Sequence, residues 1–192
     1  MKTNQHIGVI CIQGDFAKHI EALERCGVPS QKIIQVRTPQ DLKKVDRVII
    51  PGGESTTVGL LMERFGLACA LQNAAKTGMP MWGTCMGMIL LSKEVEGSSQ
   101  STLGIIDITV ERNAFGAQIH SFETSICLAP LPTPIHGVFI RAPIVTRTGP
   151  QVKTLAKYQN KTVAVQQGKI LGTSFHPELT EDKRLHQWFL TL

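Results

Sequence analysis

Aromatic residues are scarce, 5% of the chain with a single tyrosine, so there is no row of rings on which unpaired bases could stack. No apolar run approaches the ~20 residues that a bilayer-spanning helix needs. The opening, Met1-Lys2-Thr3-Asn4-Gln5-His6, leads directly into a strand-like segment, which is not the pattern of a signal peptide. The five cysteines, at 11, 26, 69, 85 and 127, are odd in number, widely scattered and free of any C-x-x-C pair, and no metal-like histidine spacing accompanies them. These absences argue against a disulfide scaffold, a zinc site and a membrane span, and they fit a reducing cytoplasm. Lysine and arginine outnumber acidic residues by 20 to 15, yet the basic residues are dispersed, with doublets only at Lys43-Lys44 and Lys183-Arg184. That pattern reads as a solvated surface rather than a nucleic-acid site, with a basic docking face for an acidic protein as the alternative. Internal repeats and low-complexity linkers are also missing.

What is present suits one well-buried core. With 192 residues and 42% apolar content, the expectation is a single domain over residues 1–192. Its first half alternates short apolar runs with helical patterns. Ile7 to Ile12 precedes Asp15 to Cys26, where Phe16, Ile20 and Leu23 recur at helical spacing and Gly27 marks the stop. Ile33 to Val36 and Val48 to Ile50 read as strands buried on both faces. Val58, Leu61, Met62 and Phe65 then predict a helix that buries one face, and Leu67 to Lys76 predicts another before Gly78 and Pro80. This is a βαβ progression. Beyond residue 102 the runs shorten: Ile105 to Glu111, Thr124 to Leu128, Val138 to Arg141, and Thr162 to Gln166 paired with Ile170 to Phe175 across Gly168-Lys169. They predict hairpins and edge strands. A last helix is expected to open with Thr180 as cap and to bury Leu185, Trp188, Phe189 and Leu192.

The strongest chemical signal is Cys85 within Gly83-Thr84-Cys85-Met86-Gly87, after the apolar run Met79-Pro80-Met81-Trp82. A nucleophile elbow, in which a strand turns sharply into a helix, tolerates only small neighbours beside the strained residue. The helix start favours thiolate over thiol. The plain alternative is a buried small apolar residue, as most free cysteines are. Ser174-Phe175-His176-Pro177-Glu178 favours the catalytic reading. If that segment is extended, His176 and Glu178 point the same way, so Glu178 can hold one ring nitrogen while the other faces the sulfur. Nucleophile, base and orienter would then form a triad in the order Cys, His, Glu.

The remaining candidates also follow strands, where ligands bind in open parallel sheets. Gln13-Gly14 follows the first strand and Pro51-Gly52-Gly53-Glu54-Ser55-Thr56-Thr57 the third. The glycine-rich segment exposes backbone N–H groups suited to a carboxylate or phosphate. It lacks the G-x-G-x-x-G spacing and the P-loop lysine of a nucleotide cradle. As a tight strand-to-helix turn, it would use Ser55 or Thr56 as cap.

With these residues in view, the chain resembles the class I glutamine amidotransferases, and within them the family of glutaminase subunits of pyridoxal 5′-phosphate synthase. The narrower resemblance rests on Ile12-Gln13-Gly14, Pro51 to Thr57, Gly83-Thr84-Cys85, Glu111-Arg112-Asn113-Ala114-Phe115-Gly116 with Ser121-Phe122-Glu123, Phe139-Ile140-Arg141-Ala142-Pro143, and Phe175 to Asp182. It spans nearly the whole chain. It implies a three-layer, flavodoxin-like α/β fold: a mostly parallel sheet with helices on both faces and added hairpin and edge strands. The activity it implies is hydrolysis of L-glutamine through a glutamyl thioester, with Cys85 as nucleophile, His176 as base and then proton donor, and Glu178 as orienter. Gly53 and Met86 would supply oxyanion N–H donors, each typically worth roughly 3–4 kcal/mol. Gly53, Glu54, Ser55, Arg112, Ile140 and Arg141 would line the glutamine site. No cofactor is implied. The implied partner is a (β/α)₈ synthase subunit that receives the ammonia through a tunnel, with docking acting on the Gln13-Gly14 loop and the oxyanion backbone.

The chain departs from the family pattern at Met86 and Met88, where smaller or branched residues are usual, at Cys11, and in a short loop after Gly27. The expectation is normal chemistry with an adjusted interface around Met86. Two rival readings keep the same architecture. One is a cysteine-dependent, protease-like hydrolase indifferent to glutamine. The other is a non-enzymatic sensor that uses Cys85 as a redox thiol.

Overall fold

The computed structural model describes residues 5–115 and 121–192. Met1 to Asn4, and Gly116 at the end of the Glu111-to-Gly116 motif, lie outside the described residues. In chain order the first half runs β1 (Ile7–Ile10), α1 (Phe16–Arg25), β2 (Ile33–Val36), α2 (Pro39–Leu42), β3 (Arg47–Ile50), α3 (Ser55–Arg64), α4 (Leu67–Lys76), β4 (Met81–Thr84) and α5 (Met86–Leu91). There follow β5 (Ser92–Val95), β6 (Ile106–Glu111), β7 (Ser121–Ile126), β8 (Ile135–Ile140), β9 (Ile144–Thr148), β10 (Lys153–Tyr158), β11 (Lys161–Gln167), β12 (Ile170–Thr173) and α6 (Arg184–Phe189).

Among the described residues the main sheet has the order β2-β1-β3-β4-β12-β11-β9-β6-β5, with β10 also paired to β11. The run from β2 to β12 is parallel throughout. Every residue of β1, β3, β4 and β12 is buried, as expected of strands covered by helices on both faces. The two faces carry separate apolar clusters. One gathers Val58, Met62, Leu67, Leu71 and the methionines of α5, and the other gathers Leu23, Trp82, Phe139, Phe175, Leu185 and Phe189. Enclosing each such side chain is worth about 1.5–3 kcal/mol.

The hairpin across Gly168-Lys169 forms as expected, with Gln167 opposite Ile170. β7 and β8 form a separate antiparallel pair with Phe122 opposite Phe139. Those two rings stack with centroids 4.6 Å apart, and Phe115, Tyr158 and Phe175 pack around them. This cluster anchors the end of β8, which closes with Ile140 just before Arg141.

Four local expectations are corrected. The cap of α3 is Glu54, not Ser55 or Thr56: its carboxylate accepts from the N–H groups of Thr56 and Thr57 at 3.1 and 2.7 Å. The buried stripe of α3 is Ser55, Val58, Gly59 and Met62, and Phe65 stands 59% exposed, because the helix ends at Arg64 and the chain turns at Gly66, with φ 73°, before α4. Thr180 does not cap α6, which begins after Lys183; its hydroxyl instead donates to Pro177 O and accepts from the Asp182 N–H. His176 and Glu178 are not joined by extended chain, because Pro177–Leu179 forms a 3₁₀ turn.

Candidate active site

β4 and β12 are adjacent, parallel and in register, with Thr84 opposite Thr173. Cys85 therefore leaves one strand end beside the segment that leaves the other, and its N–H donates to Thr173 O at 2.7 Å. The elbow is strained: Cys85 has φ 50° and ψ −107°, a region that costs about 1–3 kcal/mol for a residue with a side chain. A Cβ at Gly83 would collide with the Gly87 backbone, and one at Gly87 would collide with the Ile50 carbonyl. Glycine at both positions lets α5 turn back tightly against β3 and β4. Among the described residues, five without a glycine backbone have positive φ. Gln159 and Asn160 form the β10–β11 turn, while Cys85, Asn113 and Arg141 line one cleft.

That cleft has a volume of about 350 Å³ and opens at the carboxyl ends of the parallel strands, between Gln13, Gly53, Glu54, Ser55, Cys85, Met86, Arg112, Ile140, Arg141 and His176. A larger cavity of about 670 Å³, lined by Gln72, Gly104, Gln167 and Lys169 among others, lies at the opposite strand ends and contains none of these groups. His176 shares the cleft with Cys85, and its Nδ1 lies 2.7 Å from Glu178 Oε1. All three side chains are nearly enclosed, Cys85 at 8%, His176 at 4% and Glu178 at 1% exposure. Burial alone would lower the His176 pKa, but hydrogen bonding and charge attraction from Cys85 and Glu178 outweigh it and push the imidazole up to about 10. A held imidazolium beside sulfur is what a thiolate nucleophile needs. A Cβ at position 52 would strike the imidazole, so Gly52 leaves room for the His176 ring.

The backbone of Val138 in β8 accepts from the His176 N–H at 2.8 Å, and the Cys85 thiol donates to Ile140 O at 3.7 Å. The hairpin that ends at Ile140 and leads into Arg141 is thus fastened to both His176 and Cys85. Glu54 is held well below the usual carboxylate range, at about 2, first by the Thr57 N–H and then by Thr56, despite opposing burial. Arg112 Nη2 lies 3.9 Å from Glu54 Oε1, and Arg112 Nη1 donates to Gln100 Oε1 at 3.0 Å. The Ser55 hydroxyl donates to the same oxygen, also at 3.0 Å.

Met86 is 1% exposed, and its terminal methyl is close to Gly53. Met88 is fully buried against Gly172. Both side chains belong to the same apolar core, and Met86 also borders the cleft. Cys11 is likewise buried, and desolvation pushes its thiol up to about 11.

The sequence pattern did not single out Gln100 or the buried His19 and His186, and it quoted Thr84 only as part of the elbow. His19 occupies the helical stripe of Phe16, Ile20 and Leu23, and its buried position could have flagged it. Gln100 stands in a serine-rich loop with no periodic signal. Among the described residues, no cluster of His, Cys, Asp and Glu could hold a metal ion, and no helix is long and apolar enough to cross a membrane.

The fold is that of the class I glutamine amidotransferases. A solved structure described as "Crystal structure of glutamine amidotransferase" superimposes with a TM-score of 0.91 at 45% identity, covering 96% of this chain and 97% of its own. The chain belongs to the SNO glutamine amidotransferase family, whose model matches residues 9–192. It is similar to the "Pyridoxal 5'-phosphate synthase subunit PdxT" of Desulforamulus reducens, 50% identical over 187 residues, which cover 97% of this chain and 98% of that protein. The protein of the same name from Herpetosiphon aurantiacus is 51% identical over 191 residues, covering 97% of this chain and 99% of its own.

Proposed function

We propose that the chain is a glutaminase that releases ammonia from L-glutamine for pyridoxal 5′-phosphate biosynthesis, acting as one domain over residues 1–192. The observation that carries the reading is the His176 imidazole held between Cys85 and Glu178 at two adjacent strand ends. The Cys85 sulfur attacks the side-chain amide carbon. The Gly53 and Met86 N–H groups receive the developing oxyanion. The C–N bond breaks as His176 passes its proton to the departing nitrogen, leaving a glutamyl thioester. His176 then takes a proton from water, which adds to the thioester carbon, and the thiolate leaves with L-glutamate as product.

Arg112 and Arg141 are the cationic groups that suit an amino-acid carboxylate, since a guanidinium offers paired donors. Glu54 and Ser55 supply the polar wall opposite, beside Gly53 and Ile140. No cofactor enters these steps. The partner in this reading is the (β/α)₈ synthase subunit, which takes up ammonia before water protonates it. The relatives' names, as subunits of pyridoxal 5′-phosphate synthase, support a partner and favour this reading over a general hydrolase or a redox sensor. A cytoplasmic setting accords with the cysteines being free.

The test is ammonia release from L-glutamine by the purified chain and its Cys85→Ala variant, each with and without a synthase subunit. The expected result is release that rises with the synthase and vanishes in the variant. Absence of turnover from folded protein with a docked synthase would remove the proposal.

A further inference from the structure

Only one oxygen of Glu178 serves His176. Oε1 meets Nδ1 at 2.7 Å, whereas Oε2 is buried without a hydrogen bond. Facing it at 3.4 Å is Nε2 of His19, from the middle of α1, and both side chains are completely enclosed. His19 Nε2 also lies 3.1 Å from Oγ1 of Thr84, the residue before the nucleophile. On the other side of the ring, His19 Nδ1 is 3.2 Å from His186 Nε2 in α6. The indole of Trp82 packs edge-on against both imidazoles, fixing their planes.

The proton pattern follows from what each group can do. An ionised carboxylate only accepts, so the His19 nitrogen that faces Oε2 carries a proton. Burial is the largest influence on His19 and lowers its pKa, against attraction from Glu178 and Asp15 and with repulsion from His176. The ring is therefore neutral, and Nδ1 is bare. His186 Nε2–H must then donate to it, which leaves His186 Nδ1 bare as well. His186 Nδ1 is indeed a buried atom without a partner. As an unpaired acceptor rather than an unpaired N–H, it is the more tolerable kind of orphan. Burial, followed by His19, pushes His186 down to about 3, so a further proton does not enter the pair.

We propose that His19 is a positioning residue for the reaction. Its Nε2–H, within hydrogen-bond distance of Thr84 Oγ1 and with its positive end turned toward Oε2 3.4 Å away, holds the Glu178 carboxylate where Oε1 can orient His176. Without that N–H, Oε2 is a buried anionic oxygen that has lost the ring donor facing it, and the carboxylate gains by rotating toward any polar group or water it can reach. His186 sets the tautomer of His19, in the way that outer-shell partners fix ligand histidines. The kinetic consequence rests on the glutaminase reading above; the proton pattern does not.

The experiment has two parts, both on the full chain. Ring-nitrogen NMR of histidine-labelled native protein at neutral pH reads the tautomers directly. The expected result is a neutral Nε2–H form for His19 and for His186, and an Nδ1–H form of His19 would overturn the proposal whatever the activity. The second part compares His19→Met, which fills the volume without a donor, with His19→Gln, whose amide nitrogen can stand near the Nε2 position. Glutamine hydrolysis in the presence of the synthase subunit is expected to show kcat lowered about ten- to a hundredfold in His19→Met with KM within about twofold, and most of the loss restored in His19→Gln. Native kcat in folded His19→Met would also overturn it. If His19→Met does not fold, the native tautomer and the His19→Gln rate decide. If the native chain releases no ammonia, the glutaminase reading fails, and the tautomer still decides the role of His19 toward Glu178.

Discussion

The Cys85 N–H donates to the Thr173 carbonyl at 2.7 Å, so Cys85 is bonded to the strand that leads into His176. The bond continues the parallel register of β4 and β12 one residue past Thr84. Cys85 and His176 thus come from distant parts of the sequence but from neighbouring strand ends. Their separation is set by sheet geometry rather than by mobile loops, which is the rigid support that a reacting pair requires. The strain at Cys85 is held by the same arrangement.

Substituting Gly87 by alanine tests that support. The added Cβ would press on the Ile50 carbonyl, which belongs to β3 and has no free space behind it. A stability loss of about 1–3 kcal/mol is expected in urea denaturation, with hydrolysis lost because Cys85 shifts. A variant with native stability and turnover would mean that the elbow is looser than described.

Replacing Glu178 by glutamine is expected to lower kcat roughly 10²- to 10⁴-fold, as the wrong tautomer of the base is then favoured. The same change should bring the His176 pKa down from about 10, since Glu178 is one of the two groups that raise it. Because the folded value is raised from 6.5, the stabilisation from this imidazolium is complete below the unfolded value and is lost as pH rises through about 10. An NMR titration of His176 in the native chain and in Glu178→Gln reads both values. An unchanged titration would show that Glu178 does not act on the base.

Gln100 links the Ser55 hydroxyl to the Arg112 guanidinium through one oxygen. Its truncation to alanine frees the arginine and should raise KM for glutamine about two- to tenfold with little change in kcat, the mark of lost ground-state binding. Steady-state kinetics with varied glutamine decides this. A fall in kcat at constant KM would instead connect Gln100 to the chemical step.

A fourth expectation concerns stability alone. Thr38 and Asp41 form a reciprocal capping box at the start of α2, and Thr38→Ala should cost about 1 kcal/mol without touching turnover. Asp41 is held at about 2, below its usual 3.8, first by the Thr38 hydroxyl and then by Lys44. Its contribution is therefore present above about 3.8 and lost as pH falls toward 2. Asp41→Asn should flatten that part of the acid-stability curve, and equal acid sensitivity in variant and native protein would count against the box.

Where a feature was written locally, it was legible. The glycines around Cys85 announced the elbow, His176-Pro177-Glu178 brought base and carboxylate together, and the all-apolar strands from Ile7 and Val48 onward declared a covered parallel sheet. The 3₁₀ turn at Pro177 changed how His176 meets Glu178 but not that they meet. Features that depend on long-range packing were hidden. β5, β9 and β10 mix exposed polar positions with buried ones, so they lack the continuous pattern of central strands. Helical spacing predicted a buried Phe65, which the turn at Gly66 overrode. His19 reaches Glu178 and His186 across the fold, and Gln100 reaches Arg112 from a different loop; no pattern in sequence spacing reports such pairs.

The central claim is that Cys85 carries the glutamyl group during turnover. The direct measurement is acid quenching of the chain with its synthase subunit during steady hydrolysis of L-glutamine, followed by peptide mass analysis. The expected result is a glutamyl group on the peptide containing Cys85, and none in the Cys85→Ala variant, which also releases no ammonia. Continued ammonia release by Cys85→Ala, or a glutamyl group found only on another residue, would contradict the account.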